Sequence, residues 1–165
     1  MNGDKVTSIF DRDSSGLKPY FRGMIQRIQS VYLLLTALVS GAMFFLPLFE
    51  LPSATADAAP LEFMITSNAL LLVLVSLIGA LSFIVIFIFK NRPFQMKVCR
   101  LILILIFVMI GLLFYTADTI SNGLNQKVIY KIGTYLPLLQ VVFVFLAHRG
   151  IKKDEKLVRS ADRLR

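Results

Sequence analysis

Long uncharged runs constrain this chain more than any other feature: Ser30 to Leu51 carries no charge until Glu50, and Ala69 to Phe89 and Leu101 to Ala117 carry none. A helix needs roughly 20 mostly apolar residues to cross a hydrocarbon core of about 30 Å, and each run can be tested against that length. The three read as transmembrane helices. A fourth segment, Val128 to Ala147, contains Lys131, Thr134 and Gln140, so hydropathy alone leaves it open. Composition agrees, with 56% hydrophobic and 17% charged residues where an average soluble domain carries about 25% charged.

Charge placement settles the fourth segment, because cytoplasmic loops hold an excess of Lys and Arg near helix ends. Of 18 Lys and Arg residues, only Lys127 and Lys131 fall outside three polar segments. The first has Lys5, Arg12, Lys18, Arg22 and Arg27; the second has Lys90, Arg92, Lys97 and Arg100; the tail has Arg149, Lys152, Lys153, Lys156, Arg159, Arg163 and Arg165. A chain crossing three times would strand the tail cations outside. The sequence therefore predicts an all-α polytopic membrane protein, a four-transmembrane-helix bundle with spans of about 30–51, 69–89, 101–117 and 128–147 and both termini cytoplasmic. Residues 24–151 form the membrane domain and 152–165 a basic amphipathic cytoplasmic helix. Lys131 is expected to snorkel to the outer interface, and Pro137 to fall in the first turn after Thr134.

The first apolar block also has a signal-peptide reading, through the small residues Ala54, Ala56 and Ala58. Its apolar region is about twice the usual signal length, which favours an uncleaved anchor. The stretch Pro52 to Thr66 holds Asp57 and Glu62, formally an acid and base pair, but nothing buries them or sets their separation. It reads as a solvated loop. Asn122 and Gly123 signal a turn in the second outer loop.

Within the spans no Asp, Glu, Lys or Arg lies near the middle, which disfavours a proton-coupled transporter, since proton relays are marked by such residues. Gln140 is the most polar group there and reads as a hydrogen bond to a neighbouring helix. Ser40, Ser76, Ser82 and Thr116 can bond their own helix backbones. Ala37 with Gly41, and Ser76 with Ala80, are small residues four apart that let helices approach closely; they read as bundle packing. His148 and Cys99, each the only one of its type, lack the convergent partners of a metal site. Common catalytic signatures are absent. The reading assigns no catalytic residue, no metal ligand, no cofactor and no enzymatic role.

The cytoplasmic ends say more. In MIQRIQSVYLLL, Ile25, Ile28 and Tyr32 share a face while Arg27 points elsewhere, as in a helix entering the bilayer through an interfacial turn. The tail, RGIKKDEKLVRSADRLR, sets Leu157, Val158, Ala161 and Leu164 on one stripe, with Glu155 four residues before Arg159, a pair worth about 0.3–0.5 kcal/mol. Lys152, Lys153, Lys156, Arg159 and Arg163 are the candidate contacts to anionic lipid headgroups, at around 1 kcal/mol for each cation near the surface. Docking on a membrane-protein partner or on the protein's own second loop is the alternative. The tail lacks interleaved aromatics and is tethered to the membrane, which argues against nucleic acid.

MIQRIQSVYLLL at Met24 to Leu35, and KIGTYLPLLQ with LAHRGIKKDEKLVRSADRLR between Lys131 and Arg165, resemble the family catalogued as "domain of unknown function 4293", small four-helix inner-membrane proteins of Bacteroidota. The resemblance implies topology and a bacterial inner-membrane setting, with no activity, cofactor or site residue. It also implies a start at Met24, so residues 1–23 read as an upstream start or a poorly ordered polar extension.

Three functional classes follow. A non-enzymatic accessory or assembly component of an envelope complex fits the apolar bundle and charged tail best. A small oligomeric transporter or channel would need a path lined by Ser40, Ser76, Tyr115 and Gln140. A membrane-embedded lipid-modifying enzyme would have to use Asp154, Glu155 and Asp162. The partners implied are the bilayer, its anionic headgroups, and a membrane protein or further copies of the chain.

Overall fold

The computed structural model describes residues 28–52, 60–88 and 91–162. Four helices run up, down, up and down: α1 (Ile28–Ala42 as described), α2 (Ala69–Phe87), α3 (Arg92–Leu124) and α4 (Ile132–Asp162). Three short strands, β1 (Phe49–Leu51), β2 (Leu61–Phe63) and β3 (Ile129–Tyr130), form a sheet at the end where α1 and α3 finish.

Pro47 explains why α1 stops short of the expected Leu51. Its ring cannot continue a helix, and the residue before it is pushed out of the α region. The last turn tightens, with Phe44 N–H donating to Gly41 O at 3.2 Å and Phe45 N–H to Ala42 O at 3.1 Å, three residues back rather than four. At 1.5 Å per residue the described part of α1 is about 22 Å long. α2, α3 and α4 are long and apolar enough to cross a membrane.

β1 lies between β2 and β3, antiparallel to both, with Phe49 opposite Phe63 on one side and Tyr130 on the other. Phe49 is fully buried and stacks on Phe63 with ring centroids 4.5 Å apart. The same register sets Glu50 against Glu62, and like charges directly opposite are unfavourable. Lys131 offsets this, its Nζ 2.8 Å from Glu50 Oε2. Lys131, expected to snorkel, makes this ion pair at the sheet end with its side chain still 39% exposed. The chain is mostly helical, as expected; the small sheet is an addition to that reading, formed because the ends of both supposed outer loops pair as strands. Asp57 lies outside the described residues.

Asn68 caps α2, its Oδ1 accepting from Leu70 N–H at 2.9 Å and Leu71 N–H at 3.4 Å. Its Nδ2 reaches Thr116 Oγ1 on α3 at 3.5 Å. α3 opens with Pro93 in its first turn, where a missing N–H costs nothing. It runs past the expected turn: Asn122 and Gly123 are helical, and the reversal falls at Asn125, whose φ of 52° is left-handed. Asn tolerates that region. Ser121 Oγ then donates to Gln126 O at 2.8 Å.

α4 begins at Ile132, so Pro137 falls in its second turn and leaves the Gly133 carbonyl without its helical donor. It also continues unbroken into the tail, which was expected to be a separate helix. The side chains of Leu157, Val158 and Ala161, and residue Leu164, lie outside the described residues, as do residues 1–23.

The core runs between helices through Leu33, Val75, Ile78, Ile102, Ile106, Met109 and Val144, all fully buried. Only 28% of the apolar window of α2 and of α3, and 33% of that of α4, is buried inside the bundle. Leu38, Val73, Ile104, Phe107, Val142 and Phe145 point outward. Apolar surface on this scale is not left in water by a soluble monomer.

Two substitutions check this account by thermal unfolding in a common detergent. Asn68→Ala, which removes the α2 cap, is expected to cost about 1 kcal/mol. Gly133→Ala places a Cβ 2.5 Å from Pro47 O; overpacking of about 1–3 kcal/mol outweighs the gain of about 1 kcal/mol in helix propensity. Gly111→Ala, where a Cβ meets nothing within 4 Å, is the control and should not destabilise.

Candidate functional site

Besides the ion pair at the sheet, polar side chains of the described residues gather mid-bundle and at the end away from the sheet. Mid-bundle, Gln140 of α4 is fully buried and donates from Nε2 to Ser40 Oγ at 2.8 Å and to Thr36 O at 3.4 Å. Ser40 Oγ in turn donates to Thr36 O at 3.1 Å, and Thr36 Oγ1 to Tyr32 O at 3.0 Å. Thr36 and Ser40 are four residues apart, so one face of α1 presents both to α4. α2 joins at the same level, because Gly79 brings its backbone against Ser40; a Cβ there would stand 3.1 Å from Ser40 Cβ.

All groups in this network are neutral. Its hydrogen bonds fix the register of α1 against α4 and carry no proton-transfer group. Gln140 Oε1 is buried and has no partner in the structure, so the bonds run through the amide nitrogen.

The small pairs lie elsewhere than expected. Gly41 is exposed, with nothing within 4 Å of where a Cβ would stand; Ala37 is half-buried, and Ser76 and Ala80 are exposed on α2. Close approach inside the bundle is made by Gly79 against Ser40, Gly150 against Gln29 and Gly133 against Pro47. Ser76 and Thr116 bond their own helices, to Leu72 O and Leu112 O, both at 2.7 Å. Ser82, expected to do the same, has a buried Oγ with no partner. The proposed pore residues do not converge on one path through a single chain: Ser40 and Gln140 bond each other inside, while Ser76 and Tyr115 face out.

At the other end, Gln95 Nε2 donates to Val85 O at 3.4 Å, tying the start of α3 to the end of α2. Cys99 is fully buried and His148 partly so, with its Nδ1 unpartnered. Among the described residues no three His, Cys, Asp or Glu side chains are grouped so as to hold a metal ion. Ile151 and Asp154 of α4 are buried, while Lys152, Lys153 and Lys156 are exposed. The Arg159 side chain and Arg163 lie outside the described residues. Lys97 and Arg100, read from sequence only as topology signals, stand on α3 beside Lys152 and Lys156. Docking of the tail on the second connection is the alternative named above, but no periodicity links the two helices, so which side chains meet was not legible in the sequence.

The chain matches the family described as Domain of unknown function (DUF4293) over residues 25–164. It belongs to that family. The match spans all four helices and extends to the penultimate residue. No curated protein and no solved structure matches the chain.

A double-mutant cycle tests the mid-bundle bond. Gln140→Ala and Ser40→Ala should couple by about 0.6–2 kcal/mol in thermal unfolding. Strictly additive losses would mean the two side chains merely fill space.

Proposed function

We propose that this DUF4293 protein is a four-pass protein of the bacterial inner membrane, N- and C-termini cytoplasmic, and a non-enzymatic accessory or assembly component of an envelope complex. We infer a Bacteroidota source from the resemblance noted above. The observation that carries the reading is which side chains face out. Hydrogen-bonding groups mid-bundle are spent on joining α1 to α4, whereas Ser76 and Ala80 on α2, and Gly41 on α1, stand on the outer surface among apolar residues. Small residues on an apolar outer face let another helix come close, and lipid gives helices no hydrophobic reason to associate, so packing of this kind decides who binds.

Charge supports the orientation. Arg149, Lys152, Lys153 and Lys156 on α4 and Lys97 and Arg100 on α3 lie at the end of the bundle opposite the sheet, and the positive-inside rule sets such an end in the cytoplasm. The sheet end, with Glu50, Glu62 and Lys131, then faces outward.

Gentle solubilisation of the tagged protein from its native membrane should bring a stoichiometric companion. Ala80→Leu with Gly41→Leu should release it while leaving the chain helical. A homo-oligomer without companion would argue for the pore instead.

A further inference from the structure

An open cleft of about 360 Å³ separates the start of α3 from the far part of α4, lined by Met96, Lys97, Arg100, Lys152, Glu155 and Lys156. That volume is in the range of small-ligand sites, about 300–1,000 Å³. Lys97 and Arg100 are three apart on α3, and Lys152 and Lys156 four apart on α4, so each helix turns two cations to the same side. Four cations thus face one carboxylate. Among the described residues none of the four is ion-paired; the pair that does form, Lys131 with Glu50, lies at the opposite end. A concave wall of one sign focuses its field on an anion.

The height of the cleft narrows the choice of anion. Arg100 immediately precedes Leu101, where the uncharged run of α3 begins, and Leu101 and Ile104 are exposed on the apolar side of that boundary. A ligand with its charge in the cleft would lay any hydrocarbon along α3. We propose that the cleft holds the phosphate of an anionic phospholipid headgroup, gripped by Lys97 and Arg100 from α3 and Lys152 and Lys156 from α4. Guanidinium and ammonium groups bind phosphate oxygens through charge-assisted bonds, and basic pockets between membrane helices suit such headgroups. This rests on the membrane reading above.

The test is a titration of the purified full chain, in nonionic detergent micelles, with phosphatidylglycerol. Arg100→Gln with Lys152→Gln should weaken binding about tenfold or more. Lys127→Gln with Arg149→Gln, which removes the same charge outside the cleft, should change it less than about twofold. Equal losses in both would reduce the effect to diffuse attraction and overturn the site. Inorganic phosphate displacing the lipid at equal concentration would overturn the lipid assignment in favour of a soluble phosphate. Acylation of lysines in the unaltered chain gives a second measurement: the lipid should protect Lys97, Lys152 and Lys156 and spare Lys153, and uniform or absent protection counts against the site. Orientation plays no part in micelles, so failure here leaves the membrane reading standing; a chain that stayed in solution without detergent would remove that reading instead.

Discussion

Where Pro47 breaks the first helix, the backbone groups it releases become the seat of the fourth. Pro47 O accepts from Gly133 N–H at 3.2 Å, and Leu48 O accepts from Lys131 N–H at 2.9 Å and from the Thr134 hydroxyl. Leu48 N–H donates to Phe63 O at 2.9 Å. An unpaired peptide group in apolar surroundings costs several kcal/mol, so a helix can end here only if its freed donors and acceptors find partners at once. The sheet and the first turn of α4 supply them. Register follows from the same bonds: with Gly133 pressed on Pro47, α4 runs back along α1 with Gln140 level with Ser40 and Gly150 level with Gln29.

From that junction the molecule acquires two unlike ends. One is closed by a sheet whose central strand buries Phe49 and holds Glu50 against Lys131, and by the Phe114 and Tyr130 rings, 5.8 Å apart, between α3 and β3. The other gathers cations from α3 and α4 around an open cleft. Between them the outer surface is almost wholly apolar. The polar face of this protein is therefore split between its ends, and its sides are matched to hydrocarbon.

Much of the architecture is legible in residue order because it depends on local properties. An uncharged run such as Ala69 to Phe87 makes a long apolar helix whatever surrounds it, and the family match covers almost the full chain. Local signals also misled. Hydropathy counted Met43 to Leu51 as helix, although Pro47 was present as a stop signal. Asn122 and Gly123 made a plausible turn, yet the helix continued to a better left-handed cap at Asn125. Alternation cannot declare strands as short as Leu61–Phe63 or Ile129–Tyr130, since their stability lies in partners distant in the chain.

The candidate residues divide in the same way. Gln140 stands out in sequence because an amide in an apolar helix needs a partner, but that the partner is Ser40, and that Gly79 rather than Gly41 makes the close approach, depends on how three helices rotate about their axes. The cations of the tail and of the second connection are equally visible as charges along the chain. Their meeting across one cleft is a property of α3 and α4 lying antiparallel. What residue order determined by itself was the polarity of each segment, since transfer energies belong to side chains one at a time. The pairing of segments was left to tertiary structure, because hydrogen bonds and close packing belong to two surfaces at once.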